Sequence, residues 1–218
     1  MEKKKLLLGH NYRAASNPTA TPPAIIMLHG FGSDENDLFS FAGELPSKYA
    51  IFSLKAPIKM QPYGNAWYNI YFDNTQGKFS DDEQAIASRE LVSKCIDEIV
   101  DQYAVDKNNI TLLGFSQGTI LSFAVALSYP EKVRNVIGLS GYINQDILKE
   151  GYENNDFTNL KVYTSHGSVD QVIPVQWAQK TKPFLDRLNI ECNYSEFPVG
   201  HGVAPQNFQE IKDWLAKH

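Results

Sequence analysis

The stretch that decides the fold reads Asn109-Ile-Thr-Leu-Leu113, then Gly114-Phe-Ser-Gln-Gly118, then Thr119-Ile-Leu-Ser-Phe-Ala-Val-Ala-Leu127. Its first part is short, largely apolar and β-rich, which predicts a buried strand. From Gln117 the chain predicts a buried helix running to Tyr129, where Pro130 closes it. Between the two lies G-x-S-x-G, a pattern that means little by itself. Strand, sharp turn and helix together make it a nucleophile elbow. Such a turn holds Ser116 in a strained backbone conformation and lifts its hydroxyl clear of the sheet. Glycines two residues to either side leave room for the helix to cross close to the strand.

Outward from this turn, short apolar runs alternate with amphipathic helical patterns. That alternation predicts an α/β fold, a mostly parallel sheet of about seven strands with helices on both faces. The strands fall at residues 5–8, 25–28, 50–54, 110–114, 135–139, 161–165 and 192–197. Ser80-Asp-Asp-Glu83 reads as a capping box, followed by apolar positions at Ile86, Val92, Ile96, Ile99 and Tyr103. Pro174 suits a first helical turn, predicting a helix over 175–188. A last helix over 206–217 turns Phe208, Ile211, Trp214 and Leu215 to one side. With no repeat and no linker in 218 residues, residues 1–218 read as a single domain.

Composition narrows the function classes. Hydrophobic residues are 43% and charged residues 21%, enough for a substantial core. Twenty basic against twenty-five acidic side chains leave a net charge of −5, which favours neither nucleic acid nor an anionic membrane. The only apolar run near the start is Leu6-Leu-Leu8. A secretory signal needs about seven to fifteen apolar residues and a membrane helix about twenty, so no membrane segment is expected and the cytoplasm is. Cys95 and Cys192, without C-x-x-C spacing, fit a reducing compartment and no metal site.

A serine needs an adjacent base, and the base an orienting acid, in the chain order Ser, acid, His. His201, in Pro198-Val-Gly-His-Gly-Val203, follows the last strand and precedes the last helix, where a base reaches over the strand ends. The terminal His218 is remote from any such loop. Asp170 is the one carboxylate in His166-Gly-Ser-Val-Asp-Gln-Val-Ile-Pro174, after the preceding strand. It also suits a helix N-cap, and Asp146 and Asp156 are weaker candidates. Two backbone amides should receive the oxyanion: Gln117 at the helix N-terminus, and Phe31 in Leu28-His-Gly-Phe-Gly-Ser33. His29 is expected to brace that loop rather than react.

Residues 56–79 form a connection longer than usual, rich in aromatics. It is either folded onto the core or the apolar wall of a cleft. In the second reading Tyr63, Trp67, Tyr68 and the rest of 63–72 form one wall, and Phe31, Val172 and Ile173 the other. Residues 140–159 are polar and too few for a helical lid, so the cleft should be open. An apolar groove of this kind favours medium-chain over acetyl esters.

His29-Gly-Phe-Gly32, Ala66-Trp-Tyr68, Gly114-Phe-Ser-Gln-Gly118, His166-Gly-x-x-Asp170 with Val172-Ile-Pro174, and Gly200-His-Gly-Val203 occur in this order. Together they resemble the phospholipase/carboxylesterase family of α/β-hydrolases, which includes acyl-protein thioesterases and small bacterial carboxylesterases. The resemblance implies an α/β-hydrolase fold without a cap domain, with Ser116, Asp170 and His201 as triad and Phe31 and Gln117 as oxyanion donors. It implies hydrolysis of carboxylic esters or thioesters without a cofactor, on a small-molecule ester or an acylated protein or lipid. Thr119 departs from the pattern, since the family commonly has a second glycine after Gly118; local packing is where that difference should be felt. A peptidase or acyl transferase on the same scaffold is the alternative enzyme, and a binding protein that has kept the fold without turnover the alternative class. Oligomeric state is left open.

Overall fold

Alternation along the strands sorts the core into two layers, one on each face of a central sheet. The structure, a computed structural model, describes residues 3–16, 21–73 and 77–218, with side chains outside 72–79. Seven strands build the sheet: β1 (His10–Arg13), β2 (Ala24–Leu28), β3 (Ala50–Leu54), β8 (Ile110–Phe115), β9 (Asn135–Leu139), β10 (Lys161–Gly167) and β11 (Glu191–Phe197). Their order is β1-β3-β2-β8-β9-β10-β11, and every neighbouring pair is parallel except β1 with β3. Between β3 and the first helix lie two small hairpins. One pairs β4 (Ile58–Lys59) with β5 (Asn65–Ala66), the other β6 (Ile70–Asp73) with β7 (Gly77–Ser80).

Ala24, Ile26 and Leu28 of β2 point to a layer with α1 (Asp82–Tyr103), α2 (Gln117–Ser128) and α4 (Thr181–Arg187). Ile25 and Met27 point the other way, onto Leu38, Tyr49 and α5 (Pro205–Lys217). Because both faces are covered, the central strands are buried along their length and read as unbroken apolar runs. Phe208, Ile211, Trp214 and Leu215 are the buried stripe of α5, as their spacing predicts.

Three expected elements differ. Residues 5–8 are not a strand; Leu6 and Leu8 are buried, but the backbone donors go elsewhere. Lys4 N–H donates to the Tyr103 hydroxyl and Leu7 N–H to the Glu98 carboxylate, so α1 takes the bonds a neighbouring strand would have taken. Pairing with β3 starts only at His10, opposite Leu54. The helix expected over 175–188 is two, α3 (Val175–Ala178) and α4. Pro183 explains the break, because its ring clashes with the carbonyl four residues back and forces a new first turn just before it. The cap of α1 is Asp81 rather than Ser80, its carboxylate accepting from Gln84 N–H.

The carboxyl ends of the parallel strands open on one side, the usual place for a site in such sheets. After β9 the described chain adds only 3₁₀ turns at Gln145–Ile147 and Tyr152–Asn154, so no inserted domain covers these ends.

Candidate active site

Ser116 leaves β8 with φ 53° and ψ −115°, a left-handed region that costs a non-glycine residue roughly 1–3 kcal/mol. Tight crossing of β8 and α2 explains why the conformation persists. A Cβ on Gly118 would lie 1.9 Å from the Leu28 carbonyl oxygen, and one on Gly114 would lie 2.4 Å from that of Gly118. The Ser116 amide is tied down by the Leu139 carbonyl at 2.8 Å. One turn on, the Thr119 hydroxyl lies 2.7 Å from both the Gly114 and Leu139 carbonyls, and it accepts the Leu139 amide at 2.8 Å. Its single hydrogen serves one carbonyl at a time, so the hydroxyl splices α2 to the ends of β8 and β9. Space for this side chain comes from Gly138 and Gly141. A Cβ on either would come within 2.8 Å and 2.5 Å, respectively, of Thr119 carbons.

The structure brings Ser116, His201 and Asp170 together. His201 Nε2 is 2.9 Å from Ser116 Oγ, and His201 Nδ1 is 2.7 Å from Asp170 Oδ2. A carboxylate oxygen accepts, so Nδ1 carries the hydrogen and leaves the Nε2 lone pair facing the serine, the tautomer a general base needs. The other Asp170 oxygen accepts from Val172 N–H at 2.8 Å and Ile173 N–H at 3.0 Å. Its side chain has no exposed surface. Burial alone would raise this carboxyl, but the His201 hydrogen bond and the two amides outweigh it and hold Asp170 below the usual carboxylate range. The turn that carries Asp170 is tied to the chain before His201 by Ser168 N–H to the Phe197 carbonyl and Val169 N–H to that of Val199. Asp156 instead accepts from Thr158, Asp146 is exposed, and His218 packs on Trp214.

Phe31 and Gln117 stand in the two segments expected to meet an oxyanion, and neither amide donates to an acceptor among the described residues. His29 is fully buried, and burial holds its imidazole below the usual value. It accepts the Ala56 amide at Nε2 (3.1 Å) and donates from Nδ1 to the Gly30 carbonyl (2.7 Å), bracing the loop. Two further braces were not anticipated. Asn65 exchanges backbone bonds with this loop, donating to Ser33 and accepting from Gly32. The Gln117 side chain accepts from Trp67 N–H at 2.9 Å and donates to the Tyr68 carbonyl at 2.7 Å.

This framing corrects two expectations about the aromatic segment. Trp67 is fully buried and lies behind the loop after β2, its indole N–H donating to the His29 carbonyl at 2.9 Å. It does not line the cleft, because the bonds from Gln117 and His29 hold it inward. Tyr63 is 79% exposed and borders a different, shallow depression beside Gly64. Tyr68, Val172 and Ile173 do line the cleft, together with Phe31; the Phe72 side chain lies outside the described residues. The cavity beside Ser116 measures about 540 Å³, and Ile70, Ile120, Tyr142 and Trp177 join Phe115 of the elbow in completing its apolar lining. Nothing in the spacing of these four marks them, since they arrive from four separate elements. The carboxylates on its lining are those of Asp37, Asp82 and Asp146.

Among the described residues, no group of three or more His, Cys, Asp or Glu side chains is placed to hold a metal ion. No helix among them is long and apolar enough to cross a membrane. Cys95 and Cys192 are unpaired and buried, and burial pushes both thiols up to about 12.

Comparison with known proteins bears on the family and the fold. The sequence profile described as phospholipase/carboxylesterase matches residues 11–218. Acyl-protein thioesterase 1 of Kluyveromyces lactis is 27% identical over 221 residues, covering 94% of this chain and 96% of its own. Among solved structures, the carboxylesterase of Bacillus cereus superposes with a TM-score of 0.84 at 18% identity, covering 97% of this chain and 94% of its own. The esterase PE8 does so with 0.79 at 23% identity, covering 96% and 98%. At such identities the structural likeness speaks for the fold, which is that of the α/β-hydrolases.

Proposed function

The chain belongs to the phospholipase/carboxylesterase family, and from that membership we propose that it is a single-domain serine hydrolase of carboxylic esters or thioesters, acting on short- to medium-chain acyl groups. The observation that carries the reading is the unbroken hydrogen-bonded line from Ser116 through His201 to Asp170 beside an apolar cavity.

In this reading Ser116 Oγ attacks the acyl carbonyl carbon while its proton passes to His201 Nε2. The buried carboxylate of Asp170 steadies the imidazolium that forms. The carbonyl oxygen becomes an oxyanion facing the Phe31 and Gln117 amides, the second at a helix N-terminus whose dipole favours negative charge. Collapse breaks the bond to the alcohol or thiol, which leaves with the proton from Nε2. Water then attacks the acyl-enzyme with His201 as base, and the acid departs with Ser116 restored. The apolar lining favours longer acyl chains by about 0.8 kcal/mol per buried methylene, nearly fourfold in affinity. The three carboxylates at the cavity favour substrates without negative charge. As substrate we infer a small ester or an acylated protein or lipid, and of these the name of the Kluyveromyces relative carries only the acylated protein.

The test is a profile of kcat/KM across aryl esters from acetyl to decanoyl and the matching thioesters, with fluorophosphonate labelling alongside. Turnover should climb beyond acetyl, and Ser116→Ala should lose the label and roughly 10⁴ to 10⁶ in kcat. Labelling or turnover that survives in Ser116→Ala rejects the triad, and a profile that peaks at acetyl rejects the chain-length assignment.

A further inference from the structure

His166, at the end of β10, has a side chain with no exposed surface, yet one ring nitrogen has no use in the fold. Among the described residues Nδ1 meets no hydrogen-bond partner. Nε2 lies 2.9 Å from the Ile173 carbonyl oxygen and 3.2 Å from Asp170 Oδ2. A carbonyl only accepts, so the ring hydrogen sits on Nε2 and Nδ1 is a buried acceptor left empty. Burying a polar atom without a partner carries a desolvation cost that leucine or phenylalanine of similar bulk would not incur. Packing therefore gives no reason for an imidazole here. The reason must lie in where its N–H points.

It points at the turn that carries the acid. Ile173 donates its amide to Asp170 Oδ1 and offers its carbonyl to His166, so the imidazole holds the far end of the turn whose near end is Asp170. The same N–H turns the positive end of its dipole toward Oδ2, the oxygen that receives His201 Nδ1. Asp170 keeps its Oδ1 amides in any case; what His166 adds is the tilt of the turn and the facing of Oδ2. Resting on the triad reading above, we propose that His166 is a positioning residue for the reaction. It fixes the turn over residues 170–173 so that the carboxylate presents Oδ2 to His201.

Two substitutions separate this role from mere bulk. Glutamine can carry an amide N–H to the Nε2 position, whereas asparagine reaches only the place of Nδ1. On an aryl acetate, whose acyl group is too short to use the cavity wall, His166→Leu should lower kcat by about 10²-fold with KM nearly unchanged. His166→Gln should recover most of that loss and His166→Asn should not. If His166→Leu fails to fold, the contrast between the glutamine and asparagine variants still decides. Wild-type kcat in His166→Leu, or equal kcat in the Gln and Asn variants, overturns the inference. Ser116→Ala in the same assay keeps the two readings apart. If it is inactive while His166→Leu is unimpaired, the positioning role alone fails; if it is active, the triad has failed first.

Discussion

Asp170 is a negative charge without exposed surface, and the three hydrogen bonds that hold it ionised depend on the fold. Its folded pKa is depressed, so its contribution to stability is fully present above the unfolded value near about 4 and is lost as pH falls through the folded one. Asp170→Asn has no such titration. The melting temperature of the wild type relative to Asp170→Asn should therefore decline on acidification below about pH 4. A difference that stays constant between pH 7 and pH 3 would show that the carboxylate is not held below its ordinary range. The same variant should lose about 10⁴-fold in kcat at neutral pH, because an amide no longer dictates which imidazole nitrogen carries the hydrogen.

At the scale of elements, the short stretch Ala66-Trp67-Tyr68 acts as a strut. It is clamped on one side by Gln117 and on the other by the loop after β2, so it joins the two segments that present the free amides. Trp67→Ala should destabilise the protein by about 3–5 kcal/mol, since a fully buried indole leaves a cavity and a lost bond. Turnover of acetyl esters should fall with it, while the slope of kcat/KM against chain length stays as it was. A Trp67→Ala variant of normal melting temperature with a flattened slope would restore the indole to the cleft wall. The elbow and the base loop were legible because each carries its own local marks: paired glycines, a serine after a buried strand, a histidine after the last strand. The strut was not. Its partners His29 and Gln117 lie 38 and 50 residues away in the chain, and an aromatic residue that braces a loop looks the same in sequence as one that lines a groove. His166 was visible as part of a motif, but only its orphaned nitrogen tells what it does.

For the whole molecule, the layering followed from composition: apolar runs too continuous for a sheet wetted on one face can only be covered on both. β1 escaped that reading because α1 takes the backbone bonds of Lys4 and Leu7 before it, so that pairing with β3 begins only at His10. The glycines around Thr119 have a consequence of another kind, for the routes by which this molecule can change. Gly138→Ala in the present chain drives a methyl into Thr119 Cγ2 and should be strongly destabilising. Thr119→Ser removes that carbon and keeps the hydroxyl that joins α2 to β8 and β9. Made after Thr119→Ser, the same alanine has only the edge of Phe123 to displace. The two changes should be non-additive by roughly 1–3 kcal/mol in a double-mutant cycle on unfolding, and additive melting shifts would refute it. The order of change therefore matters at positions 119 and 138: alanine at 138 is closed off while threonine stands at 119, and serine at 119 opens it.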